Sequence, residues 1–459
     1  MPIIITENLS SLPVESLFNR RYIYLISTIA ALGGLLFGYD LAIISGAIQF
    51  FAQHFQLDEF NTGWAVGCIN LGAAIGALVS GKASDMLGRK KLLIICALLF
   101  AITGVGTGWA VNFNLFIVFR ILSGVAIGAA ALVCPMYIAE ISPAKLRGRL
   151  VTFYQLAVTA GILLAYLSNY LLLNVGHNNW RWMFSSQSAP AILFLVGLLF
   201  VSESPRWLMA KSKDEEAIKV LEKIGGATYA QIEADAIRQS FSKKTQESIR
   251  SLFAKDVFLI LFIGVLIAIF SQIGGQNSIL SYAPEIFKQA GMAEDTAFLQ
   301  SILLGLILLL FTFVAIATID KTGRKNLLMY GGLLLAIDAL SLTSAFYFQA
   351  DSLVILVLVL AFIAIYAATL GPVTWVVLSE IFPNRIRGKA MSLATLALWL
   401  ANFFTVSLFP VMKSSFGLGI TFGIHGVICF LYYVFIYFLM PETKGKSLEE
   451  IENLLEPNK

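Results

Sequence analysis

The amino-acid sequence predicts an all-α membrane protein on three grounds: its composition, its pattern of apolar runs and an internal repeat. Of the 459 residues, 58% are hydrophobic and only 13% are charged, and the mean hydropathy is +0.81. A typical soluble domain has about a quarter charged residues, and its interior is too small to bury so many apolar side chains. Much of the apolar surface must therefore face lipid, which argues against a soluble enzyme.

The apolar runs are long enough to cross a membrane, since a helix needs about 20 apolar residues to span the hydrocarbon core. A polar segment, residues 202–256, interrupts them once, and its stretches 213–224 and 229–238 are typical of short amphipathic helices outside the membrane. We predict twelve transmembrane helices, six on each side of that segment, at residues 22–48, 62–82, 91–110, 114–138, 148–173, 184–201, 257–290, 297–320, 326–348, 352–379, 389–412 and 417–440.

The placement of lysine and arginine predicts which side of the membrane each loop faces. If both termini are cytoplasmic, 28 of the 32 basic residues fall in cytoplasmic segments, in short clusters between spans. This asymmetry follows the positive-inside rule, and the inverted topology would break that rule at nearly every loop. The clusters are also too dispersed to form the single basic patch that nucleic acid requires.

The chain repeats two charged motifs at matching distances. GKASDMLGRKK at 81–91 is echoed by IDKTGRKN at 319–326, and EISPAKLRGR at 140–149 is echoed by EIFPNRIRGK at 380–389. The offsets, 320 − 85 = 235 and 380 − 140 = 240 residues, are nearly equal. Such a repeat indicates that one structural unit occurs twice in the chain.

We therefore predict two pseudo-symmetric six-helix halves, residues 1–201 and 257–440. A cytoplasmic linker with short helices, residues 202–256, joins them, and a cytoplasmic tail, residues 441–459, follows. Parallel repeats of this kind are typical of one large class of secondary transporters, in which the substrate is held between the halves near the middle of the membrane. We expect the chain to carry a small solute across a bilayer.

A set of motifs in a fixed order identifies the family that the chain resembles. Over essentially the whole chain it resembles the sugar porter family of the major facilitator superfamily, especially bacterial proton-coupled sugar and polyol symporters. A single DxxGRK would be a weak signal, whereas the ordered combination is strong. The motifs are GGLLFGYD (33–40), GKASDMLGRKK, FRILSGVAIG (119–128), EISPAKLRGR, SESPRWL (202–208), QIGGQN (272–277), YAPEIF (282–287), DKTGRK, GPVTW (371–375), SEIFPNRIRGK and PETKG (441–445).

Asp40, which ends GGLLFGYD in the first predicted span, is the most informative single residue. An ionised carboxylate inside a membrane costs several kcal/mol unless it is paired or faces water. Arg120 in the fourth span is the expected partner, because an arginine there is equally costly alone. The resemblance implies proton-coupled transport, since facilitative members tend to have a neutral residue in place of the aspartate. We expect proton symport by alternating access, with an uncoupled uniporter as the close alternative.

By resemblance, the substrate site would combine amide side chains with tryptophans. Amides both donate and accept hydrogen bonds, which suits vicinal hydroxyl groups, and an aromatic face can stack on a sugar ring. The predicted residues are Gln155, Gln272, Gln276, Asn277, Trp375 and Trp399.

Four positions depart from the pattern that is common among hexose carriers: Ser271, Gln276, Leu308 and Leu398. Amides are absent at three of them and one is gained, which changes the hydrogen-bonding pattern expected of the pocket. A hexose, a pentose and a cyclic polyol such as inositol therefore all stay open as substrates.

Acidic and basic residues at the predicted cytoplasmic ends mirror one another in the two halves. Family analogy suggests that Glu140 pairs with Arg387 and Glu380 with Arg147, as a latch that closes the cytoplasmic side in the outward-facing state. Individual surface ion pairs are weak, but a network that breaks on opening can bias two states by a few kcal/mol. The complete set is Asp85, Arg89, Glu140 and Arg147 in the first half, Glu203 and Arg206 in the linker, Asp320, Arg324, Glu380 and Arg387 in the second half, and Glu442 in the tail.

The remaining expectations are mostly negative. The three histidines, His54, His177 and His425, have no second ligand at metal spacing, so we expect no metal and no cofactor. A nucleophile with its base is also missing from the spans, so we expect no enzyme, and the short tail does not favour a sugar-sensing receptor. Gly371 and Pro372 predict a break in the tenth span. We expect a monomer in a bacterial inner membrane, with lipid, a sugar or polyol and protons as its only partners.

Overall fold

The structure is a computed structural model that describes residues 18–242, 255–383 and 386–442, together with Lys444. These residues are mostly helical and include no β-strand. The helices, numbered α1 to α16 along the chain, are Arg20–Phe55, Glu59–Leu87, Arg89–Gly108, Phe113–Ile141, Ala144–Leu172, Asn179–Ser186, Ser188–Phe200, Pro205–Ala210, Asp214–Ser242, Lys255–Ile273, Gln276–Gln289, Glu294–Thr322, Arg324–Tyr347, Ser352–Ala368, Leu370–Ile381 and Arg387–Leu439.

Eleven helical segments in the described residues are long and apolar enough to cross a membrane. The last of them, α16, has 53 residues, which at about 1.5 Å per residue is far more than one membrane thickness. Gly417 interrupts it with φ +78 and ψ 164, values that only glycine adopts readily. We interpret α16 as two spans joined at Gly417, which supports the predicted twelve. The all-α membrane fold is confirmed.

Two predicted spans are broken helices. The seventh, predicted as one run at 257–290, ends at Ile273 and restarts at Gln276, with Gly275 at φ +97. The ring of His425 packs on Gly275, and its Nδ1 lies 3.0 Å from the carbonyl oxygen of Ile273, so it satisfies a carbonyl freed by the break. The predicted span 257–290 thus corresponds to the apolar segment Phe258–Gln289, which has a break in its middle.

The break in the tenth span falls at Thr369, two residues before the predicted Gly371 and Pro372. Thr369 has φ −128 and ψ −85, outside the helical range. Proline lacks an N–H and its ring clashes with the carbonyl four residues earlier. The Pro372 ring would clash with the carbonyl group of Ala368 in a continuous helix. The helix therefore ends at Ala368, and the chain bends at Thr369.

Glycines bring α2 and α4 into backbone contact. A Cβ at Gly72 would overlap the carbonyl oxygen of Ile121, and a Cβ at Gly124 would overlap that of Ile69. Small residues are what allow membrane helices to approach so closely. Large apolar side chains point outward instead, among them Phe200, which is 77% exposed. The core thus lies between the helices and the apolar outside is suited to lipid.

The linker between the halves forms the short helices that the sequence predicts. Helix α9 is interrupted at Gly225 and Gly226, between the two predicted amphipathic stretches. Tyr229 packs edge-on against Phe18, with ring centroids 5.3 Å apart. Burial raises the pKa of Tyr229, and the charge of Glu233 adds to the rise.

Candidate functional site

Asp40 and Arg120 lie in contact in the interior of the first half. Arg120 Nη1 donates to Asp40 Oδ1 at 2.5 Å, and each side chain is 1% exposed. Ser123, one helical turn after Arg120 on α4, donates to Asp40 Oδ2. Gln187, between α6 and α7, donates to the same oxygen from Nε2 at 3.0 Å. Three donors directed at two oxygens is the arrangement expected around an ionised carboxylate.

Asp40 is the single anionic partner of Arg120 within the described residues. Arg120 Nε and Nη2 have no hydrogen-bond partner there, and the guanidinium carbon lies 5.7 Å from the centroid of the Phe184 ring. A buried arginine keeps its charge, because it cannot be deprotonated in proteins. Any change that neutralises Asp40 therefore leaves a buried positive charge without compensation.

The predicted amides of the seventh span form a buried cluster at the break between α10 and α11. Asn277 Nδ2 donates to Gln272 Oε1 at 2.7 Å. Gln276 is 1% exposed and donates to the backbone carbonyl of Ser271, so its side chain stabilises the break itself. The cluster continues to Asn402 of α16, whose Oδ1 accepts from Asn277 Nδ2 at 2.9 Å. Asn402 was missed by sequence reasoning.

The other predicted substrate residues are Trp399, Gln155 and Trp375. Trp399 is buried and stacks edge-on against Phe37 of the first half, at 5.7 Å between ring centroids. Its Nε1 has no hydrogen-bond partner among the described residues. Gln155 is half-buried, and Trp375 is 38% exposed. Among the described residues, neither forms a hydrogen bond with the amide cluster.

The repeated DxxGRK motif builds the same charged cluster in each half. In the first half, Arg89 donates to both oxygens of Glu140, each at 2.9 Å, and to Asp85 at 3.1 Å. In the second half, Arg324 contacts Glu380 at 3.1 Å and Asp320 at 3.0 Å.

A carboxylate caps the helix that starts inside each motif. Glu203 Oε1 accepts from the backbone N–H of Arg89 at 3.0 Å and of Lys90 at 3.1 Å. Glu442 Oε1 accepts from the backbone N–H of Arg324 at 3.1 Å. Anionic groups are stabilised at helix N-termini, where N–H groups lack helical partners. Glu203 and Glu442 thus attach the segments that follow the sixth and twelfth spans to these clusters.

Among the residues that the structure describes, Glu140 and Arg147 contact partners in their own half rather than the predicted latch partners. Glu140 pairs with Arg89 rather than with Arg387, and Arg147 Nε donates to the Ala139 carbonyl at 3.0 Å rather than to Glu380. Arg387 Nε donates to the Phe382 carbonyl at 3.1 Å, and Arg206 contacts Ser240 of α9. The latch was predicted for the outward-facing state, so it stays a prediction.

The halves instead touch at the opposite end, which the basic loops assign to the extracellular side. Lys288 Nζ of the second half donates to Gln49 Oε1 of the first half at 2.5 Å. Gln49 in turn donates to Glu294. The hydroxyl of Tyr166 donates to the carbonyl oxygen of Leu280 at 2.7 Å, again from the first half to the second. This contact pattern is that of an inward-facing state.

Two helical halves, with a buried ion pair in one and a buried amide cluster at their boundary, define a secondary transporter. The family described as "Sugar (and other) transporter" matches residues 26–455. The chain is 42% identical over 479 residues to the D-xylose-proton symporter of Escherichia coli, covering 96% of this chain and 97% of that one. It is 39% identical over 451 residues to the arabinose-proton symporter of Bacillus subtilis, covering 97% of each.

The chain belongs to this sugar transporter family, whose members are membrane transporters and not enzymes. Among solved structures, the inward open conformation of the xylose transporter XylE from E. coli is similar at a TM-score of 0.86 and 40% identity, covering 94% of this chain and all of that one. XylE bound to 6-bromo-6-deoxy-D-glucose is similar at 0.80 and 41% identity, covering 95% and 100%. The prediction of a multi-pass protein of a bacterial cell membrane is confirmed.

Proposed function

We propose that the protein couples the downhill inflow of protons to the uptake of a monosaccharide, with a pentose as its substrate class. The buried contact of Asp40 with Arg120 carries the proposal, because a carboxyl group that alternates between paired and protonated forms can link proton movement to a conformational change. An uncoupled uniporter has no need of a buried ion pair that is costly to desolvate.

The surroundings of Asp40 suggest how the proton acts. In this inward-facing structure Asp40 is held by three donors, which is the arrangement for the state after the proton has left. When Asp40 takes up a proton in the outward-facing state, its attraction for Arg120 weakens and the arginine charge loses its compensation. The protein then lowers its free energy by rearranging, and the pair re-forms when the proton is released inside.

The names of the relatives support the choice of sugar. The relatives of E. coli and B. subtilis are symporters of D-xylose and arabinose, both pentoses. A glucose transport protein of Synechocystis is 36% identical over 467 residues, covering 97% of this chain and 100% of that one, so a hexose belongs in any test. Gln155, Gln272, Asn277, Trp375 and Trp399 are the proposed sugar contacts.

The experiment is uptake of labelled D-xylose, L-arabinose, D-glucose and myo-inositol into proteoliposomes, with and without a pH gradient that is acidic outside. We expect a pentose to accumulate only with the gradient. One proton moving down about 100 mV supplies roughly 2.3 kcal/mol, enough for about fiftyfold accumulation. Uptake that equilibrates but does not accumulate, with or without the gradient, would identify a uniporter.

Asp40→Asn tests the role of the ion pair in the same vesicles. We expect it to abolish accumulation and to leave exchange of labelled for unlabelled sugar measurable. The matched control is Asp58→Asn, since Asp58 only caps α2 by accepting from the Asn61 N–H at 2.7 Å and asparagine caps equally well. Sustained accumulation by Asp40→Asn would refute the proton role.

A further inference from the structure

A chain of hydrogen-bonded amides crosses the boundary between the two halves. It runs from Gln272 through Asn277 to Asn402, all in the second half, and then to Asn70 on α2 of the first half. Asn402 Nδ2 donates to Asn70 Oδ1 at 2.8 Å, and both side chains are buried, at 2% and 1% exposed. This hydrogen bond connects the proposed sugar amides directly to the other half.

The hydrogen-bonding capacity of Asn70 is divided between the two halves. Asn70 Nδ2 donates to the Gly67 carbonyl of its own helix at 3.1 Å, while Oδ1 accepts from Asn402. Buried amide groups are almost always paired, because an unpaired one loses its water contacts without replacement. Asn402 therefore depends on Asn70 for an acceptor in this state.

The bond lies at the inner end of a tight seam between α2 and α16. A Cβ at Gly63 would overlap the Ser407 carbonyl oxygen, and one at Gly67 would overlap the Ser407 hydroxyl oxygen, so the two helices touch on the extracellular side of Asn70. If the extracellular end opens by separation of the halves, this seam must part. The hydrogen bond from Asn402 to Asn70 must break with it.

We propose that Asn70 is a positioning residue of the sugar site, which holds Asn402 in the inward-facing state and releases it when the extracellular end opens. This rests on the proposed function as a sugar carrier. Once released, Asn402 Nδ2 needs a new acceptor, and a sugar hydroxyl oxygen in the outward-facing site supplies one. On return to the inward-facing state, Asn70 competes with the sugar for Asn402, which weakens sugar binding and favours release into the cell.

The first test measures the distribution between states without any sugar. Spin labels at Val111→Cys and Phe348→Cys report on the extracellular ends of opposite halves, where these side chains are 79% and 77% exposed. The four native cysteines are buried, so they interfere little. In the full-length protein, we expect Asn70→Leu to raise the fraction of molecules with widely separated labels about fivefold relative to the parent. A fivefold change, to about that order, is what the loss of about one net hydrogen bond from the inward-facing state would cause.

The matched control is Asn169→Leu, which removes an equally buried amide whose partners, Ala42 and Ser45, lie in the same half. It should leave the label distances unchanged. If Asn70→Leu does not fold, Asn70→Ser is measured in the same way, since its shorter side chain does not reach Asn402. Unchanged distances in the folded Asn70 variant, or an equal change in the Asn169 control, would overturn the proposal.

The second test separates a positioning role from a structural one. With Asn70→Leu we expect both the KM and the maximal rate of pentose uptake to fall, since the outward-facing site is more populated and the inward-facing site forms less often. A loss of rate at unchanged KM would indicate a structural defect only and would refute the proposal. The label distances need neither sugar nor a pH gradient, so failure of the transport assay with the parent protein would count against the proposed function alone.

Discussion

Removing one partner of the Asp40 and Arg120 pair should destabilise the protein far more than removing both. In Asp40→Asn, Arg120 stays buried and charged, with its Nε and Nη2 already without partners in the described structure. Breaking a buried pair in this way costs about 3 to 5 kcal/mol, whereas replacing both members by uncharged side chains is often close to neutral. We expect Asp40→Asn with Arg120→Met to recover at least about 2 kcal/mol of the loss.

The reverse single variant should differ in its dependence on pH. In Arg120→Met the unpaired Asp40 can take up a proton and become neutral, whereas the arginine left by Asp40→Asn cannot lose its charge. The destabilisation of Arg120→Met should therefore be smaller at pH 5 than at pH 7.5, while that of Asp40→Asn stays constant.

Denaturant unfolding in one detergent, followed by tryptophan fluorescence, measures these differences between pH 5 and pH 7.5. Both single variants and the double variant are compared with the parent protein at equal concentration. The reasoning fails if the double variant loses as much as the two singles together, because independent sites add in that way. It also fails if the destabilisation of Arg120→Met is as large at pH 5 as at pH 7.5.

Three further changes probe other parts of the structure. Gly38→Ala, whose Cβ would overlap the Val158 carbonyl, should lower stability by about 1 to 3 kcal/mol and abolish uptake, whereas Gly81→Ala, which has open space, should change neither. Glu203→Gln should lower stability by about 1 kcal/mol in thermal unfolding through the weaker cap of α3. Gln272→Leu should raise the KM of pentose uptake about tenfold or more with little loss of protein, since a proposed hydrogen-bonding partner of the sugar is removed.

The spans and the ion pair could be predicted because each depends on a local rule. Long apolar runs must be helices in lipid, and a carboxylate in such a run needs a partner. Ser123 could have been found by the same reasoning, since it lies three residues after Arg120 on the same helical face. Gln187 was also within reach, as the single amide of the predicted sixth span, 184–201.

The parts that escaped prediction depend on how distant helices pack. The sequence has no local sign that Asn70 meets Asn402, because 332 residues separate them. The break at Gly275 follows from a glycine that packs on the ring of His425, a contact between the seventh and last spans. The partners of Glu140 and Arg147 depend on whether the protein faces inward or outward. One sequence must form both states, so it does not show which partners a given structure contains.

The internal repeat relates the position of the proposed proton site to that of the proposed sugar site. Asp40 and Asn277 are 237 residues apart, between the repeat offsets of 235 and 240, so the proposed sugar amide of the seventh span corresponds in the repeat to the proposed proton carboxylate of the first. The partners of Asp40 all lie in the first half, and Gln272 and Asn277 lie in the second. If these proposed roles hold, proton and sugar influence each other through the relative position of the halves rather than by direct contact.

Locking the halves together should therefore remove the effect of protons on sugar binding. Gln49→Cys and Lys288→Cys, whose native side chains touch at the extracellular end, can be joined by a short thiol cross-linker in the inward-facing state. Sugar affinity of the unlocked protein should vary with pH, because protonation shifts the balance of states, and the cross-linked protein should lose that dependence. The variant Gln49→Ala with Lys288→Cys has only one cysteine of the pair, so the reagent cannot join its halves there. It serves as the control for the reagent. Equal pH dependence in the locked and unlocked protein would mean that the proton acts on the sugar site within one state, through contacts such as the α2 and α4 packing that connects Asn70 to Ser123.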